Sequence, residues 1–138
     1  KYLMNSGTTK IFSLCSEGES IIYDGRVGAA LGLFVKKYLL SESFQLLPDS
    51  LNFAWGAEQG RKPEAGSRRD PSTNNYHFTP LGNNSSVHAN MNLKANWLLG
   101  EVVSKCKNSW LYSEKAGDQP KRALESALFM IGYTVSKY

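Results

Sequence analysis

The chain has 138 residues, an apolar fraction of 41%, two cysteines and a net charge of +4. This length suits one domain, and no run approaches the roughly 20 apolar residues of a membrane span. Two cysteines exclude an iron–sulfur cluster held by four thiolates, and nothing suggests a secreted disulfide framework. We therefore expect one soluble, cytoplasmic domain over residues 1–138, with Cys15 and Cys106 as buried, reduced thiols.

The first predicted helix is short and lies close to the start of the chain. Hydroxyl groups within residues 6–9 are candidate caps, and Ile11, Leu14 and Cys15 then recur at helical spacing on one predicted core face. Gly18 predicts the end of this helix. The chain begins with a lysine and not with an initiator methionine, so the domain is expected to lack upstream residues.

Asp24 is the predicted N-cap of a second helix. The apolar residues that follow recur at helical spacing, which predicts a stripe facing the core. The stripe consists of Val27, Ala30, Leu31, Phe34, Val35, Tyr38 and Leu39. Gly25, Gly28 and Gly32 each weaken a helix by roughly 1 kcal/mol relative to alanine, and a close approach of another backbone would explain them.

Residues 41–85 are predicted to form a long irregular insertion, because prolines and glycines punctuate them throughout. A connection of this length is uncommon in a compact domain and is often functional. Its aromatic residues are expected to anchor it to the core; they are Phe53, Trp55, Tyr76 and Phe78. Its cations are candidates for phosphate contacts; they are Arg61, Lys62, Arg68 and Arg69.

Two further helices complete an all-α prediction. The third covers about residues 86–106, with a predicted buried stripe of Leu93, Trp97, Leu98, Val102 and Cys106. The fourth begins at Asp118, with Pro120 in its first turn. Its predicted buried face consists of Leu124, Ala127, Leu128, Ile131 and Val135.

The residues that suggest chemistry lie in two short segments, 7–10 and 23–27. Backbone N–H groups at a helix start can hold a phosphate oxygen. A lysine at the mouth of a cleft can act as an amine nucleophile, which makes Lys10 a candidate. A carboxylate at a helix N-terminus stays ionised and can stabilise developing positive charge, which makes Asp24 the second candidate.

This arrangement resembles the core of the helix-hairpin-helix DNA glycosylases, and in particular their 8-oxoguanine glycosylase branch. The matching residues are Gly7, Thr9, Lys10, Asp24, Arg26 and Val27. Residues 123–132 also resemble the final helix of uncharacterised bacterial proteins with this fold. The resemblance implies an all-α, helix-hairpin-helix glycosylase-like core that carries the long irregular insertion.

The resemblance further implies a DNA glycosylase and AP lyase acting on damaged purines. Lys10 would attack the sugar C1′ and Asp24 would stabilise the resulting charge. The residues expected to contact DNA are Gly7, Thr8, Thr9, Arg26, Arg61, Lys62, Arg68 and Arg69. No metal or other cofactor is expected, since His77 and His88 lack neighbours at ligand spacing.

Two alternatives stay open. The usual hairpin glycines are reduced to Gly7, which favours a module that keeps the fold and binds DNA or protein without catalysis. The second alternative is a helical interaction protein with no role in nucleic-acid binding.

Overall fold

A computed structural model describes residues 3–58, 60–62, 67–113, 118–136 and 138. It contains four α-helices, α1 (Ser6–Cys15), α2 (Gly25–Ser41), α3 (Ser85–Lys105) and α4 (Pro120–Ile131). Single 3-10 turns lie at Asp49–Leu51 and Trp110–Tyr112. Within these residues the β pairing consists of one isolated bridge, between Trp55 and Pro80. The all-α class is therefore confirmed, while the helix-hairpin-helix glycosylase core stays a prediction.

Contacts divide the chain into two compact units. The first comprises Lys1–Tyr23 and Asn83–Ala127, and the second comprises Asp24–Gly82 and Leu128–Tyr138. In the described part of the chain, no helix is long and apolar enough to cross a membrane.

Helix α1 begins earlier than the hydroxyl groups suggest. The Asn5 side chain accepts hydrogen bonds from the backbone N–H groups of Gly7 and Thr8, at 2.8 and 3.0 Å. In return the Thr8 hydroxyl accepts from the Asn5 N–H at 2.8 Å, which completes a capping box. Residues 7–9 therefore lie inside the helix; Asn5 is the N-cap, and Thr8 completes the capping box.

The buried face of α1 is polar, contrary to the predicted apolar core face. Thr9 and Ser13 are fully buried, whereas Ile11 and Leu14 are 60% and 76% exposed. The Thr9 hydroxyl lies within hydrogen-bonding distance of the Ser6 and Tyr23 carbonyl oxygens, so its burial leaves a polar group satisfied. Helical spacing identified residues that share a face of α1, but the face itself points to solvent.

Helix α3 buries a mixed face made of His88, Asn92, Ala95 and Leu99, which makes its predicted stripe wrong in part. Asn92 is buried and donates to the Ile21 carbonyl at 3.0 Å, while Asn96 accepts from the Ile21 N–H at 3.0 Å. Leu93 and Trp97 are correspondingly exposed. The extended segment before Asp24 needs hydrogen-bond partners for its backbone, and the asparagines of α3 supply them.

Both cysteines are free but exposed, so the predicted burial of the thiols is wrong. Cys15 is the last residue of α1, and Cys106 is the C-cap of α3. The apolar neighbours that suggested burial at Cys15 face solvent themselves.

In the second unit, α2 is buried around most of its first half. Ala29 and Leu33 are buried in addition to the predicted positions Val27 and Leu31. Phe34 and Tyr38, both predicted in the core, are instead exposed. The half-exposed aromatic side chains of this unit are Phe34, Tyr38, Phe44 and Tyr133. A helix enclosed on several sides has no single stripe, so the periodic pattern misassigns individual positions.

The four aromatic side chains that are predicted to anchor residues 41–85 are buried as expected. They are Phe53, Trp55, Tyr76 and Phe78. The Trp55 indole N–H donates to the Phe78 carbonyl at 3.2 Å, and the Tyr76 hydroxyl donates to the Phe44 carbonyl at 2.5 Å. These contacts fix an irregular chain to the core without a helix or a sheet.

Two of the α2 glycines allow the close approach that the sequence suggests. A Cβ atom at Gly25 would meet the backbone of Gly56, and one at Gly32 would meet the Pro71 ring. At the end of α4, a Cβ at Gly132 would overlap the Arg26 carbonyl oxygen. Backbone segments that are distant in sequence therefore touch at the start of α2.

Candidate functional site

The two predicted catalytic residues belong to different units. Lys10 is exposed on α1 in the first unit, and Asp24 begins the second. The Asp24 carboxylate accepts from the backbone N–H groups of Arg26 and Val27, at 2.9 and 3.0 Å. Asp24 is thus the N-cap that the sequence predicts. The catalytic roles of Lys10 and Asp24 stay predictions.

The predicted phosphate contacts on α1 have internal partners. The N–H groups of Gly7 and Thr8 donate to the Asn5 side chain, and Thr9 is buried. A phosphate oxygen at this helix start would have to displace the Asn5 carboxamide oxygen. The geometry therefore offers less to a ligand here than an uncapped helix start does.

Three of the predicted DNA-contacting arginines converge in the second unit. The guanidinium carbons of Arg26, Arg68 and Arg69 lie 5.3, 5.4 and 5.7 Å from the centre of the Tyr133 ring. Arg26 also lies over the Phe129 ring at 4.3 Å. We call Arg26, Arg68 and Arg69 the arginine cluster. Guanidinium groups stack on aromatic faces, so the two rings of α4 and the turn after it form its platform.

Backbone contacts hold the cluster in place. The Arg68 carbonyl accepts from the N–H groups of Val135 and Ser136, at 2.7 and 3.1 Å. Arg69 is 8% exposed, and its guanidinium donates to the Ala57 carbonyl at 3.1 Å. The backbone of Arg68 and the guanidinium of Arg69 are therefore fixed to the folded part of this unit.

The surroundings of Arg69 disfavour its positive charge. Burial and the neighbouring Arg26 lower the pKa of Arg69, although Glu58 and Asp24 oppose this effect. A partly desolvated guanidinium that lies near a second cation holds its proton less tightly. Such a group gains stability from any anion that can reach it.

Glu58 is the main internal counter-ion. It accepts a hydrogen bond from the Arg68 guanidinium and lies 3.4 Å from Arg61. The hydrogen bond from Arg68 lowers the pKa of Glu58, and the same bond raises the pKa of Arg68. Arg61 is thus linked to the cluster through a carboxylate, whereas Lys62 is exposed beside it in sequence.

Sequence reasoning identified the cations of this site but not its other members. Glu58, Phe129 and Tyr133 were not among the predicted site residues. Phe129 lies in the last turn of α4, and Tyr133 lies in the turn that follows the helix. A single sequence does not show that these two rings lie beside the arginines, so no sequence signal identified them.

Within the described residues, no group of three or more His, Cys, Asp or Glu side chains could hold a metal ion. A comparison of the chain with known protein families, curated proteins and solved structures found no match. Functional proposals for this chain therefore depend on the geometry and charge of the arginine cluster.

Proposed function

We propose that this protein is a DNA-binding module that holds phosphate groups at the arginine cluster. The observation that supports this most is the convergence of Arg26, Arg68 and Arg69 on the Tyr133 ring. Guanidinium groups bind phosphate oxygens through two parallel hydrogen bonds, in a geometry that a lysine cannot provide. The net charge of +4 favours approach to a polyanion.

Stacking alone is the competing explanation for the cluster. A cation over an exposed aromatic ring contributes about 0.5–1 kcal/mol, so the arginines could serve only to cover Tyr133 and Phe129. However, like charges brought together around one ring oppose that stabilisation. An oxyanion between them removes the repulsion; the carboxylate of Glu58 already neutralises Arg68 in part.

DNA binding is tested by fluorescence anisotropy with a labelled duplex and a labelled single strand over a range of salt concentrations. Arg68→Gln is the informative variant, because Arg68 is half exposed whereas Arg69 is buried. Lys107→Gln is the matched control, since it removes one exposed charge from the other unit. Circular dichroism establishes that both variants keep their helices.

We expect the unmodified chain to bind duplex with an affinity that falls as salt rises. Arg68→Gln is expected to reduce the slope of log affinity against log salt by about 0.9 for each lost phosphate contact. Lys107→Gln is expected to leave the slope unchanged. An equal slope for Arg68→Gln and the unmodified chain would assign the cluster to stacking and contradict the proposal.

A catalytic form of the same proposal adds Lys10 as the amine nucleophile and Asp24 as the stabilising carboxylate. The amine of Lys10 is on an exposed position of α1, which is compatible with attack on a large substrate. Borohydride trapping on duplex that contains an oxidised purine tests this form directly. Binding without a trapped adduct or base release would leave the non-catalytic module.

A further inference from the structure

The compact shape of the arginine cluster limits the kind of phosphate that it suits. All three guanidinium carbons lie between 5.3 and 5.7 Å from one ring centre. Proteins that follow a DNA strand spread their cations along a groove, because the phosphates are themselves spread along the strand. Cations gathered around one ring instead concentrate positive charge over a small area, which suits one phosphate group.

The charge and the acceptor count of that phosphate can be matched to the site. A phosphodiester in a DNA backbone carries one negative charge, whereas a phosphate monoester carries about −1.5 to −2 at pH 7 and has three strong acceptor oxygens. Three guanidinium groups around one ring, of which Arg68 already binds the Glu58 carboxylate, favour the more highly charged ligand. A strand end with a phosphate is the part of DNA that has this chemistry.

Part of Tyr133 remains accessible to the neighbouring base. Tyr133 is 48% exposed even though three cations lie around its ring. The base at a strand end has a stacking neighbour on one side only, so its other face is free to stack on an aromatic side chain. The ring and the cluster together therefore match one terminal nucleotide better than an internal one.

We propose that the arginine cluster binds the phosphorylated end of a DNA strand. The terminal phosphate monoester contacts Arg26, Arg68 and Arg69, and the terminal base stacks on Tyr133. This inference rests on the proposed DNA-binding function and names the phosphate that the site selects.

The test compares oligonucleotides of one sequence that differ only at their ends. Single strands and duplexes carry a 5′-phosphate, a 3′-phosphate or hydroxyl groups at both ends, with the fluorophore placed internally. Anisotropy gives the affinity of the full chain for each at about 0.1 M salt. We expect one phosphorylated end to bind roughly fivefold or more tightly than the hydroxyl form, because charge-assisted hydrogen bonds are added. Preference for the 5′ or the 3′ form identifies which end is bound.

Variants separate the cluster from a general attraction to charge. Arg68→Gln is expected to bring the preference for phosphate close to one, while Lys107→Gln keeps it. Tyr133→Leu is expected to weaken binding of all three end types, because stacking of the base needs the aromatic ring. The preference is also expected to decline between pH 7 and pH 5, since the second phosphate proton binds near pH 6.

The outcomes distinguish this inference from the function on which it rests. Equal affinity for all three end types, with a salt slope that depends on Arg68, would overturn the end preference and leave DNA binding intact. No binding to any oligonucleotide would overturn both. Inorganic phosphate that displaces the phosphorylated strand at equal concentration would show a site for free phosphate and would also overturn the assignment to DNA.

Discussion

Leu33 and Phe34 provide a matched test of the core assignment in α2. The two residues are adjacent, yet Leu33 is 2% exposed and Phe34 is 46% exposed. Hydrophobic periodicity predicts the reverse, because Phe34 continues the stripe that includes Leu31 and Val35. Replacing each with alanine therefore sets the structure against the sequence pattern.

The expected changes in the free energy of unfolding differ by more than the error of measurement. Leu33→Ala removes three buried carbon atoms and leaves a cavity, which costs roughly 2–5 kcal/mol. Phe34→Ala removes a ring with about half of its surface already in water. Its transfer free energy is correspondingly small and no closed cavity forms, so we expect a loss of about 1 kcal/mol or less.

Urea unfolding followed by tryptophan fluorescence measures both changes. Trp55 is buried in the same unit as α2, so its emission reports the loss of that core. Trp97 and Trp110 are exposed in the native state and contribute little change on unfolding. If Phe34→Ala lowers stability as much as Leu33→Ala does, the assignment of the buried face of α2 is wrong.

Three further predictions concern glycine packing, charge and catalysis. Gly132→Ala should destabilise the chain by about 1–3 kcal/mol, since its Cβ would overlap the Arg26 carbonyl. Gly100→Ala, in open space within α3, should instead stabilise it by about 0.5–1 kcal/mol. The pKa of Glu58, followed by NMR, should lie below the ordinary value of about 4.3 and rise in Arg68→Gln. Finally, if the chain is a lyase, borohydride should trap it on damaged duplex and Lys10→Ala should abolish the adduct.

Each of these predictions has an outcome that contradicts it. Equal effects of the two glycine substitutions on stability would contradict the close contact between Gly132 and the Arg26 carbonyl. For Glu58, the depressed pKa implies stability that is present above pH 4.3 or so and is lost on further acidification. A Glu58 pKa that is insensitive to Arg68→Gln would mean that the pair does not form in solution. An adduct that survives in Lys10→Ala would assign the nucleophile to another amine.

Local signals allowed the start of α2 and the start of α4 to be predicted. Asp24 accepts the hydrogen bonds of an N-cap, and α4 begins at Pro120, two residues after the predicted start. Both signals act within one turn of the chain, so no knowledge of the rest of the fold is needed. The same reasoning failed at Asn5, because a run of hydroxyl residues directly after it drew the prediction away from the carboxamide.

The direction in which α1 and α3 face was not predictable from periodicity. Thr9 and Asn92 are buried because they satisfy the backbone carbonyls of Tyr23 and Ile21. Those partners are far away in the sequence, and their need for hydrogen bonds appears only in the folded chain. Apolar spacing assigns such polar positions to the surface, and it therefore misplaces the buried face.

The candidate site shows the same limit. Arg68 and Arg69 were predicted to contact phosphates because of their charge, and the structure adds the convergence of both on Tyr133 together with Arg26. That convergence joins three segments, at the start of α2, in the irregular insertion and after α4. Charge is visible in a sequence, whereas convergence depends on the tertiary fold.

The segment from Asp24 to Arg26 combines a structural and a ligand-binding role in consecutive residues. Asp24 caps α2, and its charge opposes the lowered pKa of Arg69. Gly25 admits the backbone of Gly56, whose N–H donates to the Gly25 carbonyl at 3.1 Å. Arg26 then places its guanidinium over the rings of Phe129 and Tyr133.

Loss of DNA binding after a substitution in this segment therefore has two causes to distinguish, loss of the structure at the start of α2 and loss of the contact with phosphate. Asp24→Asn separates them. Asparagine caps a helix well, so stability is retained while one negative charge beside the cluster is lost. Under the proposed function, the loss of this charge tightens phosphate binding. If Asp24 is catalytic, the same substitution abolishes base release and leaves binding intact.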